Sequence, residues 1–248
     1  PSETGSEKLL ADFFKKSLTD NAVKETFIDG CGNLVSVIRG TEKGPDILLN
    51  GHLDTVPPGN KNDWLPYDPY KAVIDKENNL YGRGASDMKG GLAVLYFVML
   101  YFQKLQEKGI NLPGNLIFSA VVHEEAAEML GMEYLFERTM PENNLRCDVV
   151  FLAEPTNGDL AIGQRGKIEL VVKTYGRTAH SSVPAEGVNA LEKMLPVIEY
   201  VFNKMPEKMK SNPFFGEGTV TITDCTVKPG KLSVIPDECE ISVDRRYM

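Results

Sequence analysis

The chain has 248 residues, with 27 Lys and Arg against 35 Asp and Glu, for a net charge of −8. An acidic chain without a Lys/Arg cluster is a poor partner for nucleic acid or an anionic membrane. No apolar run approaches the ~18 residues of a membrane span, so the sequence predicts a globular, cytoplasmic protein with no nucleic-acid and no membrane partner. The four cysteines, Cys31, Cys147, Cys225 and Cys239, form no CxxC pair and are expected to be reduced thiols.

In chain order, Leu9, Leu10, Phe13, Phe14 and Leu18 recur at helical spacing and predict an amphipathic helix over Ser6 to Leu18. A turn at Asp29–Asn33 precedes a strand from Leu34 to Arg39, and Ile47 to Asn50 is a short buried strand. That strand runs into Asn50-Gly51-His52-Leu53-Asp54-Thr55-Val56. Pro57 to Pro69 is a long loop carrying Trp64, followed by a short strand, Lys71 to Asp75. Next comes the Gly-rich segment Leu80 to Gly91, and an apolar helix from there to about Lys108. Asn115 to Val122 predicts a strand that ends in His123-Glu124-Glu125. A helix through Met129, Met132, Leu135 and Phe136 follows. Asp148 to Ala153 is another strand, ending in Glu154. Strands alternating with helices predict a mostly parallel sheet covered on both faces.

After Gly163-Gln164-Arg165-Gly166 the pattern changes to strand, helix, strand, strand. The strands are expected over Lys167–Thr174, Gly218–Cys225 and Glu238–Arg245. Val188, Leu191, Leu195, Ile198 and Phe202 mark the expected inner face of the helix. The fold class is therefore α/β. Residues 1–164 form a metal-binding domain with a mostly parallel sheet, and 165–248 a smaller α+β domain with an antiparallel sheet.

The chemistry gathers at strand ends, where ligands collect in open parallel sheets. A His and a carboxylate two residues apart project to the same side of an extended chain, so His52 and Asp54 read as an imidazole and the acid beside it. Glu124, Glu125 and Glu154 end two further strands, and Asp87 stands just before a helix. Each acid has an ordinary reading as well. Asp87 could cap its helix, Glu124 and Glu125 could favour a helix dipole, and Glu154 could be a turn residue. Gathered around an imidazole, these carboxylates repel one another unless a cation lies among them. His with carboxylates suits Zn²⁺, Mn²⁺ or Co²⁺. Ser181 and Ser182 beside His180 make no triad, and Gly82–Gly91 lacks the spacing of a phosphate loop.

The segments NGHLDTVPPG, LYGRGASDMKGGLA, VVHEEAAEMLG, FLAEPT, GQRGKIELVVKTYGRTAHSSVPAEGVNA and LSVIPDECEISVDRR together resemble the two-domain, di-zinc aminoacylase/carboxypeptidase family. Acetylornithine deacetylase, succinyl-diaminopimelate desuccinylase, glutamate carboxypeptidase and several dipeptidases belong to it. The resemblance implies hydrolysis of an amide bond in an N-acyl amino acid or small peptide. By its implication, His52 and Glu154 hold one zinc, Asp87 bridges two, Glu125 binds the second, Asp54 orients His52, and Glu124 is the general acid/base. His180 matches the family's small-domain histidine, which in dimers reaches the partner's site, so a homodimer through the small domain is implied. Arg165 matches a position near the substrate carboxylate.

In the family, a later segment supplies the last histidine to the second zinc. The only histidines here are His52, His123 and His180, and His123 stands where the family usually has Asp. The chain is therefore expected to be the N-terminal part of such an enzyme, with both domains incomplete, one well-formed metal site and a hydrophobic sheet face left uncovered. The other expectation is a short, non-catalytic relative that binds one metal or a partner.

Overall fold

The computed structural model describes residues 1–126 and 129–248; Ala127 and Glu128, at the start of the helix expected after Glu125, lie outside the described residues. The chain divides into two compact units, Pro1–Gly158 and Asp159–Met248. The division falls a few residues ahead of the Gly163–Gly166 boundary read from the sequence.

In the first unit, helix α1 (Lys8–Asp20) leads into strands β1 (Glu25–Ile28), β2 (Leu34–Ile38) and β3 (Ile47–His52). A two-residue pair, β4 (Val73–Ile74) and β5 (Leu80–Tyr81), precedes helix α2 (Gly90–Glu107) and strand β6 (Leu116–Val121). Helical turns α3 (Leu130–Tyr134) and α4 (Met140–Glu142) then lead to β7 (Val149–Leu152). The sheet order is β1-β2-β6-β3-β7. The part built by helical crossovers, β6-β3-β7, is parallel. The β1 and β2 strands join by antiparallel pairing, β1 to β2 through the Asp29–Asn33 turn and β2 to β6. Strand β1 was not anticipated: four half-buried residues are too few for a pattern to stand out.

Both faces of this sheet are covered, which follows from the sequence alternation. Leu34, Ile38, Leu49, Phe118 and Ala120 point to one side and pack with Phe14 and Leu18 of α1 and Leu92, Leu95 and Met99 of α2. Their neighbours Val35, Val37, Leu48, Ile117 and Val121 point to the other and pack with Leu135, Met140 and Leu145. A strand apolar on both faces reads as an unbroken apolar run, which is how β3 and β6 stand out in the sequence. At the edge of the sheet, β7 is the exception: Val149, Val150, Phe151 and Leu152 are all exposed, as are Val94, Phe97 and Tyr101 on the outer side of α2.

In the second unit, β8 (Gly166–Tyr175), helix α5 (Ala190–Asn203), the short pair β9 (Ser211–Asn212) and β10 (Gly216–Glu217), β11 (Thr219–Lys228) and β12 (Glu238–Tyr247) follow in order. The long strands form an antiparallel sheet ordered β11-β12-β8. Cys239, Ile241 and Val243, alternating along β12, pack against Ala190, Met194 and Val201 of α5. The opposite phase of β12 carries Glu238 and Glu240, paired with Lys228 at 2.8 Å and Lys173 at 2.5 Å.

The inner face of α5 matches the expected one in part: Leu191 and Ile198 pack against the core of the unit as expected. Leu195 and Phe202, expected inside, are 54% and 62% exposed, whereas Ala190 and Met194 are fully buried. The helix carries apolar residues on two adjoining stripes, and periodicity alone does not say which one meets the sheet. No helix among the described residues is long and apolar enough to cross a membrane, and all four cysteines are free thiols.

Candidate metal centre

The register of the parallel strands determines which residues meet. His52 pairs with Val121 at the end of β6, so the residues that follow Val121 emerge beside it. Asn50 pairs with Leu152 at the end of β7, which puts Glu154 level with His52 on the other side. The central strand, the acid-bearing loop after β6 and the exit of β7 thus open onto one sheet edge.

Asp87 reaches this edge differently from the helix-capping reading. It stands in the segment Ala85–Lys89 with φ −116° and ψ 105°, outside helical values, and the Asp87–Met88 peptide is cis. Met88 is fully buried, and its Sδ lies 3.0 Å from the His52 backbone N–H. Gly51 makes this possible, because a Cβ there would lie 2.5 Å from the Met88 Cε and 2.9 Å from the Leu92 Cδ2. Gly91 acts likewise at the start of α2, where a Cβ would come within 2.2 Å of the Ala153 carbonyl oxygen. Two missing side chains therefore let the helix and its preceding loop press onto β3 and the exit of β7.

The imidazole of His52 is buried and its orientation is determined. Nδ1 lies 2.9 Å from the main-chain carbonyl oxygen of Asp54 and 3.5 Å from its carboxylate. Both are acceptors, so Nδ1 carries a proton and donates it to the carbonyl. Nε2 faces the open edge, 3.0 Å from Asp87 Oδ1 and 3.9 Å from both Glu124 Oε2 and Glu154 Oε1. Ligand atoms of His52, Asp87 and Glu125 also lie within 4.8 Å of one another. These three are residues that the resemblance divides between two ions joined through Asp87, and Glu154 Oε1 stands beside them at 3.9 Å from His52 Nε2.

Asp54 is fully buried, and its carboxylate does more than face the imidazole. It accepts hydrogen bonds from the backbone N–H of Glu124 (3.1 Å), the backbone N–H of Glu125 (3.0 Å) and the hydroxyl of Thr4 (2.8 Å). Burial alone would raise the pKa of this acid, but the His52 pairing and these three donors outweigh it and lower it to about 2. Asp54 thus pins the two glutamates of the β6 loop. Asn33 anchors the same loop from its flanks, accepting from Val122 N–H at 3.0 Å and donating to the Gly131 carbonyl at 2.9 Å. Ser2 donates to the Leu53 carbonyl at 2.7 Å. Sequence reasoning missed Thr4, Ser2 and Asn33, because each acts across a long stretch of chain and no local pattern marks it.

The charges at this edge are unbalanced. Among the described residues, no Lys or Arg pairs with Asp87, Glu124, Glu125 or Glu154. Burial and the neighbouring acids push the carboxyls of Glu125 and Glu154 above the ordinary range, against the pull of His52. Burial disfavours a charged His52, yet Asp54, Glu154, Asp87 and Glu124 raise its pKa to about 9. An imidazole with its lone-pair nitrogen facing several carboxylates is the donor set of a first-row divalent metal, so the residues present fit such an ion.

His180 and Arg165, the other site residues read from the sequence, belong to the second unit. His180 is exposed, and its Nδ1 lies 2.8 Å from the Ser182 hydroxyl and 3.2 Å from the Ser182 backbone N–H. Arg165 Nη1 donates to the Glu217 carbonyl at 2.7 Å.

Known proteins resemble the whole of the chain. YgeY of Escherichia coli K12, itself uncharacterized, is 29% identical over 99% of the chain and 58% of its own length. Succinyl-diaminopimelate desuccinylase of Wolbachia pipientis is 30% identical over 100% of the chain and 61% of its own length. The chain therefore spans about three-fifths of the relatives it matches. In fold, the M20 family metallo-carboxypeptidase Sso-CP2 of Sulfolobus solfataricus superposes with a TM-score of 0.75 at 19% identity, over 100% of this chain and 68% of that one. The profile of Peptidase family M20/M25/M40 matches residues 48–242, a span that takes in every acid at the sheet edge, and the chain belongs to that family.

Proposed function

We propose that the chain supplies the metal-binding part of a hydrolase that cleaves amide bonds in N-acyl amino acids or small peptides. The observation that carries this reading is the convergence of one imidazole and four unneutralised carboxylates on the carboxyl edge of β3, β6 and β7. Membership of a peptidase family, and likeness to a desuccinylase and a metallo-carboxypeptidase, support the amide as the bond attacked.

In this reading His52, Asp87, Glu125 and Glu154 hold the metal, two Zn²⁺ in a parent-length protein with Co²⁺ or Mn²⁺ as substitutes. A bound divalent ion acidifies water and polarises a carbonyl. Glu124 has the freedom to take a proton from the attacking water and pass it to the leaving amine. Its backbone is tied to Asp54 while its side chain is partly open to solvent. Asp54 is a positioning residue, keeping the His52 carbonyl-facing tautomer and the 124–125 backbone in place. His180 and Arg165 of the second unit are proposed, on family likeness, to contact the substrate's carbonyl and carboxylate. A homodimer formed through that unit is part of the same proposal.

Elemental analysis after dialysis, together with a panel of N-acyl amino acids and dipeptides under Zn²⁺, Mn²⁺ and Co²⁺, tests this. His52→Ala should lower bound metal, and Glu124→Ala in a parent-length protein should keep the metal and lose most turnover. Metal retained in His52→Ala, or full turnover in Glu124→Ala, would sink the corresponding role. A second reading, metal binding without turnover, is kept because the chain spans only about three-fifths of its relatives. It predicts bound metal and no hydrolysis even at parent length.

A further inference from the structure

Behind the loop that carries Asp87 lies a cavity of about 270 Å³ whose lining includes none of the clustered acids. Pro69, Tyr70, Leu80 and Tyr81 form apolar and aromatic walls, and Arg83 and Lys89 supply two cationic side chains. Thr55, one residue beyond Asp54, is also part of its lining.

The two cations have no anionic partner. Although the chain has more acids than bases, neither the Arg83 guanidinium nor the Lys89 ammonium makes a hydrogen bond or ion pair with any described residue. Arg83 Nε is buried and has no hydrogen-bond partner, an uncommon state for a buried donor. The guanidinium lies over the ring of Trp64 at 5.2 Å, which holds its plane but satisfies none of its N–H groups. Lys89 is half-buried, its stem running past Gly84, where a Cβ would lie 3.2 Å from the Lys89 Cδ. Glu3 of the N-terminal segment is engaged by the Tyr70 hydroxyl, and the Lys61 ammonium lies 5.8 Å from the centre of the Tyr70 ring.

We infer that this cavity binds a small carboxylate with an apolar body, the carboxylate between Arg83 and Lys89 and the body against Tyr70 and Tyr81. Two half-buried cations beside aromatic walls recognise that combination: charge-assisted hydrogen bonds fix the anion and the apolar surface contributes the rest. The volume is below the range of about 300–1,000 Å³ usual for drug-sized ligands, so the occupant is the size of a single ring with a short acid arm. The inference does not depend on the metal-centre reading.

Trp64 is the only tryptophan in the chain, so its emission reports on Arg83 above it. Phenylacetate titrated into protein freed of metal by chelation and dialysis should give a saturable change in that emission. Phenylacetamide, with the same body and no charge, should give none, and inorganic phosphate should bind at least about tenfold more weakly. Lys89→Met, checked for folding by circular dichroism, should weaken phenylacetate at least about tenfold by equilibrium dialysis. The inference is overturned by the absence of saturation, by equal binding of the amide, or by phosphate binding as tightly as phenylacetate. Binding seen only after Zn²⁺ is restored would assign the carboxylate to the metal centre and would also overturn it. If Lys89→Met does not fold, the acid–amide comparison on the unaltered protein decides.

Discussion

The two units place their candidate residues in opposite settings. In the first, His52 and Asp54 are almost without solvent contact, and Asp54 is held by four partners: an imidazole, a hydroxyl and two backbone N–H groups. In the second, the sheet is covered on one face, His180 is exposed, and the hydrogen bonds of its side chain go only to Ser182, two residues on. Both patterns are written in the strands. Runs apolar on both phases, as in β3 and β6, bury their ends, while a strand such as β12, apolar on one phase and charged on the other, leaves its surroundings open. The lesson is that the same residue types have different energetic weight: a change at Asp54 disturbs folding, and one at His180 leaves the fold alone.

Five substitutions would break or sharpen that contrast, and urea unfolding measures each of them. Asp54→Ala removes a buried charge with its imidazole partner and strands two backbone donors, so it should cost about 3–5 kcal/mol. A loss under about 1 kcal/mol would mean the network is not structural. In the second unit the largest effect should come from α5: Met194→Ala at the buried stripe should cost about 2–4 kcal/mol. Leu195→Ala beside it should stay within about 0.5 kcal/mol, and a reversal of the two would restore the face read from periodicity. Asn33→Ala leaves the Val122 N–H and the Gly131 carbonyl without their partner and should cost about 1–3 kcal/mol. His180→Ala should change stability by no more than about 0.5 kcal/mol; a larger loss would show that the second unit depends on its turn after all.

The fold and the acid edge were largely legible in the sequence because both are local signals. Apolar runs of strand length end in acids at Asp54, Glu124–Glu125 and Glu154, and the order of strands and helices suffices to align those ends. What was not legible depends on distant pairs or on a choice between equivalent faces. Thr4 meets Asp54 across 50 residues and Asn33 meets Val122 across 89, and neither carries a mark in its own neighbourhood. The α5 face was legible in part: Leu191 and Ile198 pack inward as expected, whereas Leu195 and Phe202 lie on an adjoining apolar stripe that only the sheet leaves out. Asp87 read equally well as a helix cap, and its extended backbone follows from Met88 being drawn under β3, which Gly51 permits.

The exposed edge strand β7 has a consequence for whatever binds at the sheet edge. Edge strands open at lower free energy than the strands inside a sheet, and Glu154 leaves β7 two residues after its last paired position, whereas His52 ends a strand paired on both sides. A ligand gripped by both must wait for molecules in which the edge is zipped, so its apparent dissociation constant rises as that fraction falls. Conversely, an ion shared by His52 and Glu154 would clasp the last strand to the sheet, slowing amide exchange in Val149–Leu152 while leaving β3 and β6 as they were. This edge strand would then act as the gauge of occupancy.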